Sequence, residues 1–243
     1  MSIVRIAMWS GPRNISTAMM RAFENRQDCA VWDEPLYGPY LHLTGIPHPG
    51  ADDIIADQGR EWQPVADACV HHAPSGANVF YQKHMTHHLL PTMDWDWLRK
   101  LRNCFLIRDP EEVLASYRRT RPDVTEEDLG IVRQAEIYDY VCGFQSSAPP
   151  IVDAKDFLQA PEAYLRALCA HFDIEFTDRM LSWPAGRRDS DGVWGPYWYD
   201  AVWASTGFEA YRPRDVTTPP EYEALVARSI AHYDRLRARR LRP

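Results

Sequence analysis

Ser10-Gly11-Pro12-Arg13-Asn14-Ile15-Ser16-Thr17 is the stretch on which the reading of this chain turns. It follows an apolar run, Ile3-Val4-Arg5-Ile6-Ala7-Met8-Trp9, that reads as a buried strand. It precedes Ala18-Met19-Met20-Arg21-Ala22-Phe23, which reads as a helix. A strand, a tight Gly-Pro turn carrying an arginine, and a helix opening on Ser-Thr make an anion cradle. First-turn amides of a helix have no intrahelical partner, and the macrodipole adds partial positive charge there. Arg13 adds a full charge, and the Ser16 and Thr17 hydroxyls add donors. A phosphorylated or sulfated group is the expected occupant. The stretch is not a nucleotide-triphosphate loop, which needs Gly, four residues, then Gly-Lys-Ser/Thr. Counted from Gly11, Ser16 falls on the second glycine and Thr17 on the lysine. On this segment alone, a well-started helix in any α/β protein remains an open alternative.

Composition narrows the class. The 243 residues are 45% hydrophobic, enough for one sizeable α/β domain spanning 1–243. A net charge of −7 argues against general binding of nucleic acid through phosphate neutralisation. The basic C-terminal residues Arg235, Arg237, Arg239, Arg240 and Arg242 are expected to complement a helix C-terminus instead. Five scattered cysteines (29, 69, 104, 142 and 169) without CxxC spacing point to a reducing compartment and no disulfide framework. With no apolar run of about 18 residues and no signal-peptide pattern, the expectation is a cytoplasmic protein without a membrane partner.

Short strand-like runs alternate with helical patterns, as in a parallel sheet. The strands are expected at 3–9, 29–33, 78–83, 103–108 and 150–153, and helices at 15–26, 61–72, 110–120, 126–145, 161–172 and 220–240. Residues 36–60 and 174–218 are rich in Pro, Gly and aromatics and read as long ordered loops, where open α/β sheets make their ligand contacts. Arg108-Asp109-Pro110-Glu111-Glu112 ends one strand and starts a helix, with Asp109 as N-cap, Pro110 at the first position and Glu112 as the second half of a capping box. Acids occupy that helix start, so it is not itself an anion site. Arg108, at the carboxyl end of its strand, still faces the ligand crevice.

These two strand–turn–helix units resemble the sulfotransferases that use 3′-phosphoadenosine 5′-phosphosulfate (PAPS). That family's Pro-Lys/Arg-Ser-Gly-Thr-Thr-like loop, which cradles the 5′-phosphosulfate, is matched by Pro12-Arg13-Asn14-Ile15-Ser16-Thr17. Its Arg-x-Pro motif, with a serine eight residues after the arginine gripping the 3′-phosphate, is matched by Arg108, Pro110 and Ser116. A looser third match sets Arg187, Arg188, Gly192 and Trp194 against the family's Arg-Lys-Gly-x-x-Gly-Asp-Trp, which closes over the nucleotide. Ile15 stands where the family has glycine, and Asp189 brings a negative charge to the third motif. The resemblance implies a three-layer α/β sandwich around a mainly parallel sheet, PAPS as donor, a small-molecule hydroxyl or amine acceptor, and no metal.

Sulfuryl transfer needs an in-line acceptor oxygen, a base, and stabilisation of the leaving phosphate. Arg13 and the first-helix amides suit the phosphate. Lys83-His84 closes the 78–83 strand where the family places its catalytic histidine, so His84 is the expected base and Lys83 a charge donor. Glu34, in Asp33-Glu34-Pro35 after the second strand, is an acceptor contact or an alternative base. His84, His87 and His88 fall at i, i+3 and i+4, but lack acidic or Cys partners at zinc spacing. Trp194, Tyr197, Trp198 and Tyr199 cluster late in the chain, and only Trp194 sits at a motif position. An atypical phosphotransferase and a non-catalytic nucleotide-binding protein on the same fold remain as alternatives, and the aromatic-rich C-terminal third could form a homodimer surface.

Overall fold

The computed structural model describes residues 3–119, 123–213 and 216–243. Position 120, the last of the helix expected over 110–120, and positions 214–215 of the long C-terminal segment lie outside the described residues. Strand β1 (Val4–Ser10) sits at the centre of a five-stranded sheet with β2 (Cys29–Asp33), β3 (Val79–Met85), β4 (Arg102–Ile107) and β5 (Ile151–Asp153). The order is β2-β3-β1-β4-β5, and every neighbouring pair is parallel. The chain builds the β2–β3 side first, then crosses β1 to build β4 and β5. This reversal opens a crevice at the carboxyl ends of the central strands.

The helices are α1 (Ser16–Glu24), α2 (Tyr37–Thr44), α3 (Ala51–Gln58), α4 (Trp62–His71), α5 (Pro110–Tyr117), α6 (Glu126–Leu129), α7 (Ile131–Cys142), α8 (Ala154–Gln159), α9 (Pro161–His171), α10 (Gly195–Trp198), α11 (Asp200–Ala204) and α12 (Glu223–Arg237). Alternation along β1 divides the core, because successive side chains of a strand point to opposite faces. Ile6 and Met8 pack with Met19, Met20 and Phe23 of α1, Phe157 of α8, and Leu165 and Leu168 of α9. Ala7 and Trp9 pack with Val65 and Cys69 of α4, Ala135 and Tyr138 of α7, and Tyr233 and Leu236 of α12. Helix, sheet and helix thus form three layers. No described helix is long and apolar enough to cross a membrane.

Several elements differ from the sequence expectation. The third strand runs to Met85 rather than ending at residue 83, which places His84 inside it. The helix expected over 126–145 is divided by Gly130, whose φ of 71° no side-chain-bearing residue adopts cheaply. A Cβ there would stand 2.9 Å from Pro12 Cδ and 3.1 Å from Gly11 Cα, so this glycine lets α7 begin directly beneath the 10–15 turn. The stretches read as loops hold short helices: α2 and α3 within 36–60, and α10 and α11 within 174–218. The C-terminal arginines bind carboxylates of other elements, Arg235 pairing with Asp139 and Arg240 with Asp156. Arg235 and Arg237 also stand in the last turn of α12, where cations complement the helix C-terminus as expected.

Candidate active site

A cavity of about 1070 Å³ opens at the carboxyl ends of the strands, and residues 12–18 form one wall of it. The first intrahelical bond of α1 runs from Met19 N to Ile15 O, and no side chain caps the helix. The Ser16, Thr17 and Ala18 amides therefore have no intrahelical acceptor and stand at the cavity. Arg13 is held at φ 54° and places its guanidinium 5.0 Å from the Tyr117 ring centroid and 5.7 Å from that of Trp198. Asn14 fixes the turn to the sheet, its amide donating to Leu106 O at 3.0 Å while its Oδ1 accepts from Ile15 N at 2.8 Å. Its role is thus to shape the cradle. Ile15, standing for the family's glycine, lines the cavity and packs against the core under α1.

Arg108 reaches the same cavity and braces the cradle, donating from Nη1 to Arg13 O at 2.6 Å. Its Nε and Nη2 donate to Glu112 Oε2 at 3.0 and 2.9 Å, and the Tyr211 hydroxyl donates to Glu112 Oε1 at 2.7 Å. Glu112 therefore does not close a capping box. Asp109 caps α5 alone, accepting from Glu111 N. Pro110 stays buried at the helix start, and Ser116 lies in the last turn of α5, away from the cavity lining, where Arg119 donates to its hydroxyl at 3.4 Å. Lys155 and Arg212 bring two further cations to this end of the cavity.

The opposite wall is built on Lys83. Its side chain shares a face of β3 with Tyr81, which stacks on Phe23 of α1, and it is 1% exposed. Nζ donates to Asp33 Oδ1 at 2.9 Å, Glu34 Oε1 at 2.5 Å and the Tyr199 hydroxyl at 2.9 Å. Burial opposes the lysine's charge, but the Asp33 and Glu34 carboxylates outweigh it and hold its pKa well above the ordinary range. Glu34 follows β2 at φ 39°, its main-chain N–H bonded to Lys83 O, and it faces the cavity. Burial raises its pKa; Lys83 opposes that rise, while Asp33 adds to it. His88, flanked by stacked Tyr37 and Tyr40 rings, sets Nδ1 3.9 Å from Glu34 Oε2. Burial, with neighbouring His87 and Lys83, pushes the His88 pKa well below the usual range.

Two expected site features fall elsewhere. His84 points to the face of the sheet opposite Lys83, because adjacent strand residues alternate. Its ring stacks on Trp9 at 4.4 Å, Nε2 lies 3.2 Å from Gln82 Oε1, and burial lowers its pKa to about 3. The expectation of a catalytic His84 is corrected by this strand register. The third motif also stands off the cavity. Arg187 lies over the Trp203 ring, Arg188 donates to Pro184 O, and Asp189 is exposed. Gly192 leaves room for the Trp194 ring to fold back over it, and Trp194 is buried with Nε1 donating to the Tyr199 hydroxyl at 3.1 Å. Gly192 and Trp194 thus support the Lys83 network and offer no stacking face to the cavity. Tyr199 was legible only as one aromatic among four; its spacing from Asp33 and Lys83 carries no sequence signal.

Residues 4–240 match the sulfotransferase domain family. The chain belongs to that family. Two plant proteins named branched-chain-amino-acid aminotransferase-like protein 1 and 2, from Arabidopsis thaliana, are 34% and 33% identical to it, each over 96% of the chain. The chain spans only 41% of the length of either relative. Among solved structures, the sulfotransferase domain of the Synechococcus PCC 7002 olefin synthase superposes with a TM-score of 0.62 at 14% identity, covering 96% of both chains. The sulfotransferase domain from the curacin biosynthetic pathway gives 0.60 at 14% identity, covering 96% of this chain and 98% of that one. These likenesses agree with the three-layer architecture of this sulfotransferase-family chain.

Proposed function

We propose that this chain is a PAPS-dependent sulfotransferase that moves a sulfuryl group to a hydroxyl or amine of a small-molecule acceptor. The observation that carries the reading is the meeting, in one cavity, of the uncapped α1 start with Arg13 and the Glu34–Lys83 pair. A cavity of about 1070 Å³ has room for a nucleotide beside a small acceptor. The cradle fits an anionic donor: amides, two hydroxyls and two arginines converge on it, while Glu112 tempers Arg108.

The donor, when bound, supplies the sulfuryl group and a phosphate that departs with the electron pair of the broken S–O bond. The α1 amides and Arg13 are fixed before reaction, so they stabilise charge on that phosphate without reorganising. Arg108 keeps the cradle in shape through Arg13 O. Glu34 takes the acceptor's proton on Oε2 as the acceptor atom bonds to sulfur, while Oε1 stays held by Lys83. A buried carboxylate whose pKa is raised above the ordinary range is a better proton acceptor than an exposed one. Lys83, held charged, serves as a donor and leaves the base role to Glu34.

The test is calorimetric titration with 3′-phosphoadenosine 5′-phosphate, followed by transfer assays. Binding is expected in the unaltered protein, with a loss of tenfold or more in Arg13→Ala. In Glu34→Gln, binding is expected within about threefold, with turnover down by about 10²-fold or more. Absence of bisphosphate binding in the unaltered protein would remove the reading.

A further inference from the structure

We propose that Tyr199 is a positioning residue of the transfer site, dividing Lys83 between Asp33 and Glu34 so that Glu34 is held ready to accept a proton. The inference rests on the reading of this cavity as a sulfuryl-transfer site. Three separate chain segments converge on one phenol oxygen. The hydroxyl donates to Asp33 Oδ2 at 2.6 Å and accepts from Lys83 Nζ at 2.9 Å and Trp194 Nε1 at 3.1 Å. A hydroxyl offers one donor and two acceptor positions, so all three are used. Every member is buried, Tyr199 at 4% exposure and Trp194 at 1%.

The consequence follows from counting partners. Lys83 Nζ has three donors and three acceptors: Asp33, Glu34 and Tyr199. Asp33 needs compensation as a buried carboxylate, and Tyr199 provides part of it at Oδ2. Gly192 N, at 3.5 Å from the same oxygen, adds little. Without the phenol, Lys83 is the one strong donor left to Asp33 among the described residues and is drawn toward it. Glu34 then loses part of the cation that opposes its protonation. Trp194 and Gly192, matched to a nucleotide-closing motif in sequence, act here at a distance from the cavity. They fix the 192–199 segment so that the phenol meets the β2 and β3 ends.

Tyr199→Phe keeps the ring and removes the oxygen. Its kcat/KM profile is expected to shift its acid limb upward by about one pH unit, a loss of roughly fivefold at the original midpoint and about tenfold well below it. Affinity for 3′-phosphoadenosine 5′-phosphate should stay within twofold, because the cradle is untouched. Trp194→Phe, which removes one donor to the phenol, should shift the limb in the same direction by less. It serves as the test if Tyr199→Phe does not fold. An unmoved limb in a folded variant overturns the proposal. If the unaltered protein transfers nothing, the functional reading fails separately, and ¹³C-detected titration of Glu34 still decides the network. An upward shift in Tyr199→Phe then supports it, and superimposable titrations overturn it.

Discussion

Replacing His84 by phenylalanine separates a structural histidine from a catalytic one. His84 is 1% exposed, stacked on Trp9, and its pKa is lowered from 6.5 to about 3 by burial. The unfolded chain therefore binds a proton below about pH 6.5 that the folded protein refuses until far lower pH. Stability tied to this group is present above pH 6.5 and is lost as pH falls toward 3. One proton costs about 1.4 kcal/mol per pH unit in that window, so His84 removes roughly 2 kcal/mol between pH 7 and pH 5. The phenylalanine keeps the stack on Trp9 but leaves Gln82 Oε1 without its partner, at a cost of about 1–3 kcal/mol at pH 7. Urea unfolding followed by tryptophan fluorescence at pH 7 and pH 5 measures both effects. The variant should be weaker at pH 7 yet lose roughly 2 kcal/mol less on acidification. Turnover per folded molecule should stay within threefold. An unchanged acid sensitivity would refute the buried neutral imidazole. A turnover loss beyond tenfold would place that imidazole in the chemistry.

Two other changes probe the opposite wall and the cradle. Lys83→Met leaves Asp33 and Glu34 buried without their cation, and urea unfolding should report a loss of about 3–5 kcal/mol. Arg13→Gly removes a side chain from a residue held at φ 54°; thermal unfolding should show a gain of about 1 kcal/mol, while calorimetry shows bisphosphate binding weakened tenfold or more.

Much of the fold was legible because it rests on local signals. The β2 run Cys29–Asp33 and the helix beginning at Pro110 fall where apolar periodicity and capping residues placed them. The cradle was legible for the same reason: residues 10–17 are contiguous, and an uncapped helix start carries its chemistry in sequence. Lys83, Glu34 and Arg108 could be placed at the cavity from sequence because each closes or follows a strand whose end faces the crevice. His84 failed on a two-residue error in a strand end, since one step along a strand reverses the face. Ser116 and the 187–194 motif matched in spacing, but spacing does not say which face of a helix or which side of a loop meets the cavity.

The sequence by itself determined the strand–turn–helix units, the turn and helix start at residues 12–17 that line the cavity, and the family to which the chain belongs. Those are properties of short windows, set by periodicity, capping and turn chemistry. Only the tertiary structure decided that Asp33, Lys83, Trp194 and Tyr199 form one buried network behind Glu34. These residues are far apart in the chain. Their contact depends on sheet order and on how the 192–199 segment packs against the β2 and β3 ends, and no local pattern encodes either.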